Sequence, residues 1–182
     1  MTKTILITGA SSGIGAGMAR EFAQMGYNLA ICARRLERLE TLKQELEQQY
    51  GIRVIAKSLD VTNYDQVFQV FREFKQDFGQ LDRIIVNAGV GEGRRIGKGN
   101  FAINKATVET NFISALAQCE AAVEIFREQN SGHLVMISSM SAIRGMPKHL
   151  TAYGASKAAV AHLAEGIRAE LIDTPIQVTT IF

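Results

Sequence analysis

Short β-rich apolar runs alternate along this 182-residue chain with longer runs whose apolar residues recur every three or four positions. The runs at 4–8, 28–33, 53–56, 83–86, 134–138 and 176–182 have the length and β-branched content of strands. The segments between them, 14–25, 36–49, 64–78, 105–128 and 153–172, read as amphipathic helices. Leu36, Leu39, Leu42 and Leu46 make a one-sided stripe, and Val67, Phe68, Phe71, Phe74 and Phe78 make another. Strands alternating with helices of this length form right-handed βαβ units, hence a parallel sheet covered by helices on both faces. Strands buried on two sides must be apolar throughout, as Ile84-Ile85-Val86 and Leu134-Val135-Met136-Ile137 are. The pattern predicts a single α/β domain over 1–182: a doubly wound sheet with six strands.

Composition narrows the function classes. With 47% hydrophobic and 21% charged residues the chain has enough apolar surface for a core, which excludes disorder. A net charge of +2 is too balanced for a nucleic-acid partner. No apolar run reaches the length of a membrane span, and the first strand begins almost at Met1; no membrane association, no signal peptide and a cytoplasmic setting are expected. Cys32 and Cys119 lie in apolar segments and read as buried small hydrophobes rather than a disulfide. The three histidines lack ligand spacing among themselves or with the cysteines, so no metal is expected.

Candidate chemistry begins where the first strand runs into Thr8-Gly9-Ala10-Ser11-Ser12-Gly13-Ile14-Gly15 and a helix follows at once. Glycines let backbone approach a pyrophosphate, while the helix start offers free N–H groups and a favourable dipole. A plain Gly/Ser turn would use the same residues. Its place between the first strand and helix of a doubly wound sheet favours dinucleotide binding. The second strand ends Cys32-Ala33-Arg34-Arg35 with no carboxylate to receive a ribose 2′-hydroxyl, whereas arginine forks suit a 2′-phosphate. That points to NADP rather than NAD, with two solvated surface charges as the alternative. Tyr153-Gly154-Ala155-Ser156-Lys157 puts a phenol and an ammonium on one helix face, where the cation lowers the phenol's proton affinity.

The glycine spacing of Gly9, Gly13 and Gly15, followed in order by Asn87-Ala88-Gly89, Asn111, Ser139 and Tyr153-x-x-x-Lys157, resembles the short-chain dehydrogenase/reductase family on a Rossmann-type fold. The resemblance implies that Gly9, Ser11, Ser12, Gly13, Ile14 and Gly15 hold the pyrophosphate. Arg34 and Arg35 would then take the 2′-phosphate, Asp60 and Val61 lie against adenine, and Asn87, Ala88 and Gly89 shape the adenine-ribose side. It implies a carbonyl/alcohol oxidoreductase in which Ser139 and Tyr153 flank the carbonyl oxygen and NADPH supplies hydride. Tyr153 would donate the proton, Lys157 would hold the nicotinamide ribose, and Asn111 would fix a water in a locally kinked helix. Ser138 and Ser141 are alternative positions for the serine, because one extra residue separates Pro147 from Tyr153 relative to the commonest family pattern. A non-catalytic NADP-binding sensor or scaffold is the rival class; such relatives usually lack the tyrosine or lysine that this chain carries.

Relatives continue beyond the position of Phe182 with a Pro-Gly turn, a substrate-covering helical loop and a seventh strand, so a C-terminal truncation is expected. They commonly pair as homodimers or homotetramers through the helices that here span 105–128 and 153–172, with Ala115, Ala117, Ala121 and Ala122 available for contact. The glycine-rich basic loop with Arg94, Arg95 and Lys98 would suit an acidic substrate, or is simply a solvated loop.

Overall fold

Residues alternate faces along a strand, so Ile5 and Ile7 share one side of the first strand and Leu6 takes the other; all three are buried. This two-sided burial organises the whole computed structural model, which describes residues 2–182. The elements are β1 (Thr4–Thr8), α1 (Gly13–Gln24), β2 (Asn28–Ala33), α2 (Leu36–Tyr50), β3 (Val54–Ser58), α3 (Tyr64–Phe78), β4 (Arg83–Val86), α4 (Phe101–Val108), a π turn (Glu109–Ile113), α5 (Ser114–Gln129), β5 (Gly132–Ile137), α6 (Thr151–Glu170) and β6 (Ile176–Ile181). Single 3-10 turns at Met140–Ala142 and Lys148–Leu150 join β5 to α6.

The six strands are parallel in the order β3-β2-β1-β4-β5-β6. The chain winds outward from β1 to β3, then returns to pair β4 with β1. A crevice therefore opens between the carboxyl ends of β1 and β4, where open α/β sheets bind ligands. On one face Ile5, Ile7, Leu29 and Ile31 meet Ala16, Ala19 and Ala23 of α1 and Leu39, Leu42 and Leu46 of α2. On the other, Leu6, Ile84, Leu134 and Met136 meet α3, α5 and α6 through Phe71, Phe74, Cys119, Phe126 and Val160. Phe71, Phe74 and Phe126 are fully buried, and truncating one such ring to alanine costs about 3–5 kcal/mol. Both cysteines are buried free thiols; burial pushes Cys119 up to about 12, and Cys32 also upward, which keeps them protonated.

Two elements depart most from the periodicity. The third strand covers Val54–Ser58 rather than 53–56, because Lys57 continues the edge strand while pairing with Glu73 and Asp77 of α3. The helix expected over 105–128 begins at Phe101 and is broken by the π turn. Its alanines also serve a different purpose: Ala115, Ala121 and Ala122 are buried against the chain's own sheet. Ala117 is half-buried and Leu116 exposed, and Ile113 and Val123 are also partly exposed in the same stretch. Among the described residues no helix is long and apolar enough to cross a membrane, and no cluster of His, Cys, Asp and Glu could hold a metal ion.

Candidate active site

The crevice is tied together at its base. Thr8 Oγ1 accepts from the Asn87 and Ala88 N–H groups at 3.1 Å each, and Asn87 Nδ2 donates to the Thr8 carbonyl at 2.8 Å. Beyond this knot the chain turns through Gly9 (φ +68°) and Gly13 (φ +56°), both in the left-handed region that glycine tolerates. A Cβ at Gly9 would stand 2.9 Å from Ala88 Cα, and one at Gly15 would stand 2.8 Å from Asn87 Nδ2. The two ends approach so closely that only glycine fits.

Ser12 occupies the N-cap of α1 but its side chain caps nothing. Its Oγ instead accepts from Arg35 Nη2 at 2.9 Å, and the same nitrogen donates to Ser11 Oγ at 3.1 Å. With no acidic residue in the first turn, the opening N–H groups and positive dipole end of α1 are left for an anion. The arginine–serine link was not foreseeable from spacing, since its partners lie 23 and 24 residues apart.

Two clefts share Gly9, Ser12, Ala88, Gly89 and Val90 and so form one trough. The larger arm, about 410 Å³, is walled by Ser11, Arg34, Arg35, Asp60 and Val61. The smaller, about 270 Å³, is walled by Gly13, Ile14, Gly15, Asn87, Ser138, Tyr153 and Lys157. At Asp60 burial opposes ionisation, but the N–H and hydroxyl of Thr62 and the positive charge of Arg34 prevail, holding the carboxyl below its ordinary value. Asp60 therefore stays charged beside Arg34.

Tyr153 is partly exposed, whereas Lys157, one turn on, is only 6% exposed; both reach the same wall. Lys157 Nζ donates to the Ile137 carbonyl at 2.8 Å, and burial pulls its pKa below the ordinary lysine value. Asn111 sits behind this wall, 1% exposed, at the centre of the π turn. Its Oδ1 accepts from Val90 N–H at 2.8 Å, while its Nδ2 donates to the Val90 carbonyl at 2.9 Å and to Ser156 Oγ at 3.2 Å. The expected kink is this π turn, in which Ser114 N–H reaches back to the Glu109 carbonyl.

The serines separate by their hydrogen bonds. Ser138 lines the smaller cleft, but its hydroxyl proton goes to the Lys157 carbonyl at 2.8 Å. Ser139 Oγ accepts from Ser141 N–H at 3.2 Å and from Ser141 Oγ at 2.9 Å, which leaves its own proton uncommitted. Ser139, Ser141 and Asn111 are the candidates that do not form the trough wall themselves. Spacing also missed Thr107 and Asn104: Thr107 Oγ1 donates to the Glu92 carbonyl at 3.0 Å, and Asn104 Oδ1 accepts from Arg94 N–H at 2.8 Å. A polar row at 104, 107 and 111 on a helix was the available signal.

A family model described as short chain dehydrogenase matches residues 3–182. An uncharacterized oxidoreductase of Mycobacterium tuberculosis is 52% identical over 178 residues, spanning 97% of this chain and 70% of that protein. An NADP-dependent 3-hydroxy acid dehydrogenase of Schizosaccharomyces pombe is 32% identical over 183 residues, spanning 98% of this chain and 70% of the relative. The crystal structure of an NADPH-dependent 3-quinuclidinone reductase from Rhodotorula rubra superimposes with a TM-score of 0.91 at 30% identity, covering 98% of this chain and 67% of that one. With a family model matched over residues 3–182, the chain belongs to the short-chain dehydrogenase family.

Proposed function

We propose that this oxidoreductase uses NADP(H) to interconvert a carbonyl compound and a secondary alcohol, with Tyr153 as the acid and base. The observation that carries the reading is that Tyr153 and Lys157 share a cleft wall with Gly9, Ser12 and Gly13. A hydride donor held along the glycine turn would thus have a proton donor beside it.

The residues fit a dinucleotide. Gly9 and Gly15 leave no room for a Cβ, and the uncapped start of α1 offers N–H groups to a pyrophosphate. Arg34 and Arg35 stand where a 2′-phosphate would be received, and no carboxylate ends β2 to prefer a 2′-hydroxyl. Asp60 and Val61 would flank adenine, with Asn87, Ala88 and Gly89 on the ribose side. The S. pombe relative and the R. rubra neighbour are named for the same cofactor.

When bound, the nicotinamide supplies a hydride to the carbonyl carbon. Tyr153 and Ser139 donate hydrogen bonds to the carbonyl oxygen, and Tyr153 passes its proton to that oxygen as the alcohol forms. Lys157, one helical turn from Tyr153 on the same cleft wall, holds the ribose. Asn111 clamps Val90, whose segment lines the cleft, and steadies Ser156 at the foot of the Tyr153 helix turn. In the oxidising direction the same groups take the proton from the alcohol.

The test is a fluorescence titration with NADPH and NADH followed by a screen of ketones and aldehydes. Preferential NADPH binding with carbonyl reduction is the expected outcome. Preferential NADH binding would refute the cofactor assignment, and tight NADPH binding without turnover would identify a sensor instead.

A further inference from the structure

Charge is unevenly shared between the two connections that lead from the carboxyl ends of β4 and β5. Residues 91–99 carry Arg94, Arg95 and Lys98 against the single carboxylate Glu92, and residues 143–150 carry Arg144, Lys148 and His149 with no acid at all. With the histidine neutral these two short stretches hold four net positive charges, on a chain whose net charge is +2; the rest of the molecule is net negative. Every one of these cations is solvent-exposed. None belongs to the ion pairs found among the described residues, which join Arg20, Lys43, Lys57, Arg72 and His162 to acids elsewhere.

The first stretch is held at its root. Asn111 binds both backbone groups of Val90, Thr107 binds the Glu92 carbonyl, and Asn104 binds the N–H and carbonyl of Arg94 at 2.8 and 3.2 Å. Three side chains of one helical stretch thus clip alternate residues of an extended strap. Between the clips lies buried Gly93, packed so tightly on the His149 carbonyl that a Cβ could not be added. The two basic connections therefore meet at this point. It lies beside the cleft: Val90 and Gly91 line it with Tyr153, and His149 is four residues before Tyr153. The two connections that meet beside the cleft thus carry five exposed cations with Glu92 as their one acid, and a bound anion would offset that surplus of positive charge.

We infer that the mouth of the Tyr153 cleft selects carbonyl substrates bearing an anionic group, carboxylate or phosphate, away from the reacting carbon. This rests on the hydride-transfer reading above and adds the substrate class. The test compares matched pairs with NADPH: levulinate against methyl levulinate, and dihydroxyacetone phosphate against dihydroxyacetone. Rates are read as kcat/KM on the parent, and binding is read by calorimetry on the Tyr153→Phe protein loaded with NADPH. The expected result is a preference of about tenfold or more for the anionic member of at least one pair. The pair that shows it distinguishes carboxylate from phosphate. That ratio should fall toward parity as salt rises from about 0.01 M to about 1 M, where the Debye length shrinks from about 30 to about 3 Å. It should also fall in the triple variant Arg94→Glu, Arg95→Glu, Lys98→Glu, with NADPH affinity retained. A ratio at or below parity in both pairs, in rate and in binding, overturns the inference, as does a ratio indifferent to both salt and charge reversal. A retained NADPH complex in those cases leaves the oxidoreductase reading standing, whereas failure to bind NADPH at all removes that reading first.

Discussion

Ser138 and Ser139 are adjacent, and alanine at each should have distinguishable consequences. Ser138 is buried and spends its proton on the Lys157 carbonyl at 2.8 Å, so Ser138→Ala removes one neutral internal hydrogen bond. Such a bond contributes about 1 kcal/mol net, which for a domain of this size lowers Tm by about 2–4 °C. Ser139→Ala removes an oxygen that accepts from Ser141 N–H and Oγ, a comparably small loss of stability. It also removes the uncommitted proton assigned to the substrate's carbonyl oxygen. Loss of a donor of this kind lowers kcat by about 100- to 1,000-fold, equivalent to about 2.7–4 kcal/mol. The assay pairs thermal denaturation with NADPH consumption on a carbonyl substrate. Ser138→Ala should melt slightly early and keep most of its turnover, while Ser139→Ala should melt similarly and lose nearly all of it. Loss of turnover in Ser138→Ala alone, with Ser139→Ala near the parental rate, would refute the assignment and return the role to Ser138.

Three further outcomes follow. Arg34→Glu should weaken NADPH binding by about 10- to 150-fold, the value of about 1.5–3 kcal/mol for charged hydrogen bonds, and shift preference toward NADH; an unchanged NADPH/NADH affinity ratio contradicts the phosphate assignment. Gly9→Ala should lower Tm and abolish NADPH binding, because φ +68° costs a side-chain-bearing residue about 1–2 kcal/mol and the new Cβ meets Ala88 Cα; parental values in both measurements would dismiss the close-approach argument. Burial lowers the Lys157 pKa, so its ammonium costs folding stability at neutral pH, and the cost fades as pH climbs toward the ordinary value of 10.5. The stability of the parent relative to Lys157→Met should therefore improve between neutral pH and that value, while the variant loses turnover; a flat or falling difference in denaturant midpoints would show that the lysine is not penalised.

The alternation of apolar runs was enough to derive the parallel sheet, because strands buried on both faces must be apolar throughout. The glycine turn and the Tyr153/Lys157 pair were legible because their chemistry depends on fixed spacing along one element. Other features were not. The edge position of β3 let Lys57 extend a strand that polarity seemed to end, and α4 began early because Phe101, 79% exposed, follows no buried stripe. Residue identity did not separate Ser139 from Ser138; the partners of their hydroxyls did, by leaving Ser139 the uncommitted proton. The clips from Asn104 and Thr107 reach backbone atoms, which leave no complementary side chain to find in the sequence. Likewise, the meeting of the two basic connections at Gly93 and His149 joins segments more than fifty residues apart, so only the folded chain brings them side by side.

The most direct test of the account is NADPH affinity measured beside carbonyl-reduction kcat in Tyr153→Phe. Removing the phenolic proton should reduce kcat at least about 100-fold, at the low end of what a positioned acid contributes, and leave NADPH affinity at the parental level. Reduction at the parental rate would show that another group protonates the product, and the site assembled around Tyr153 would not be the catalytic one.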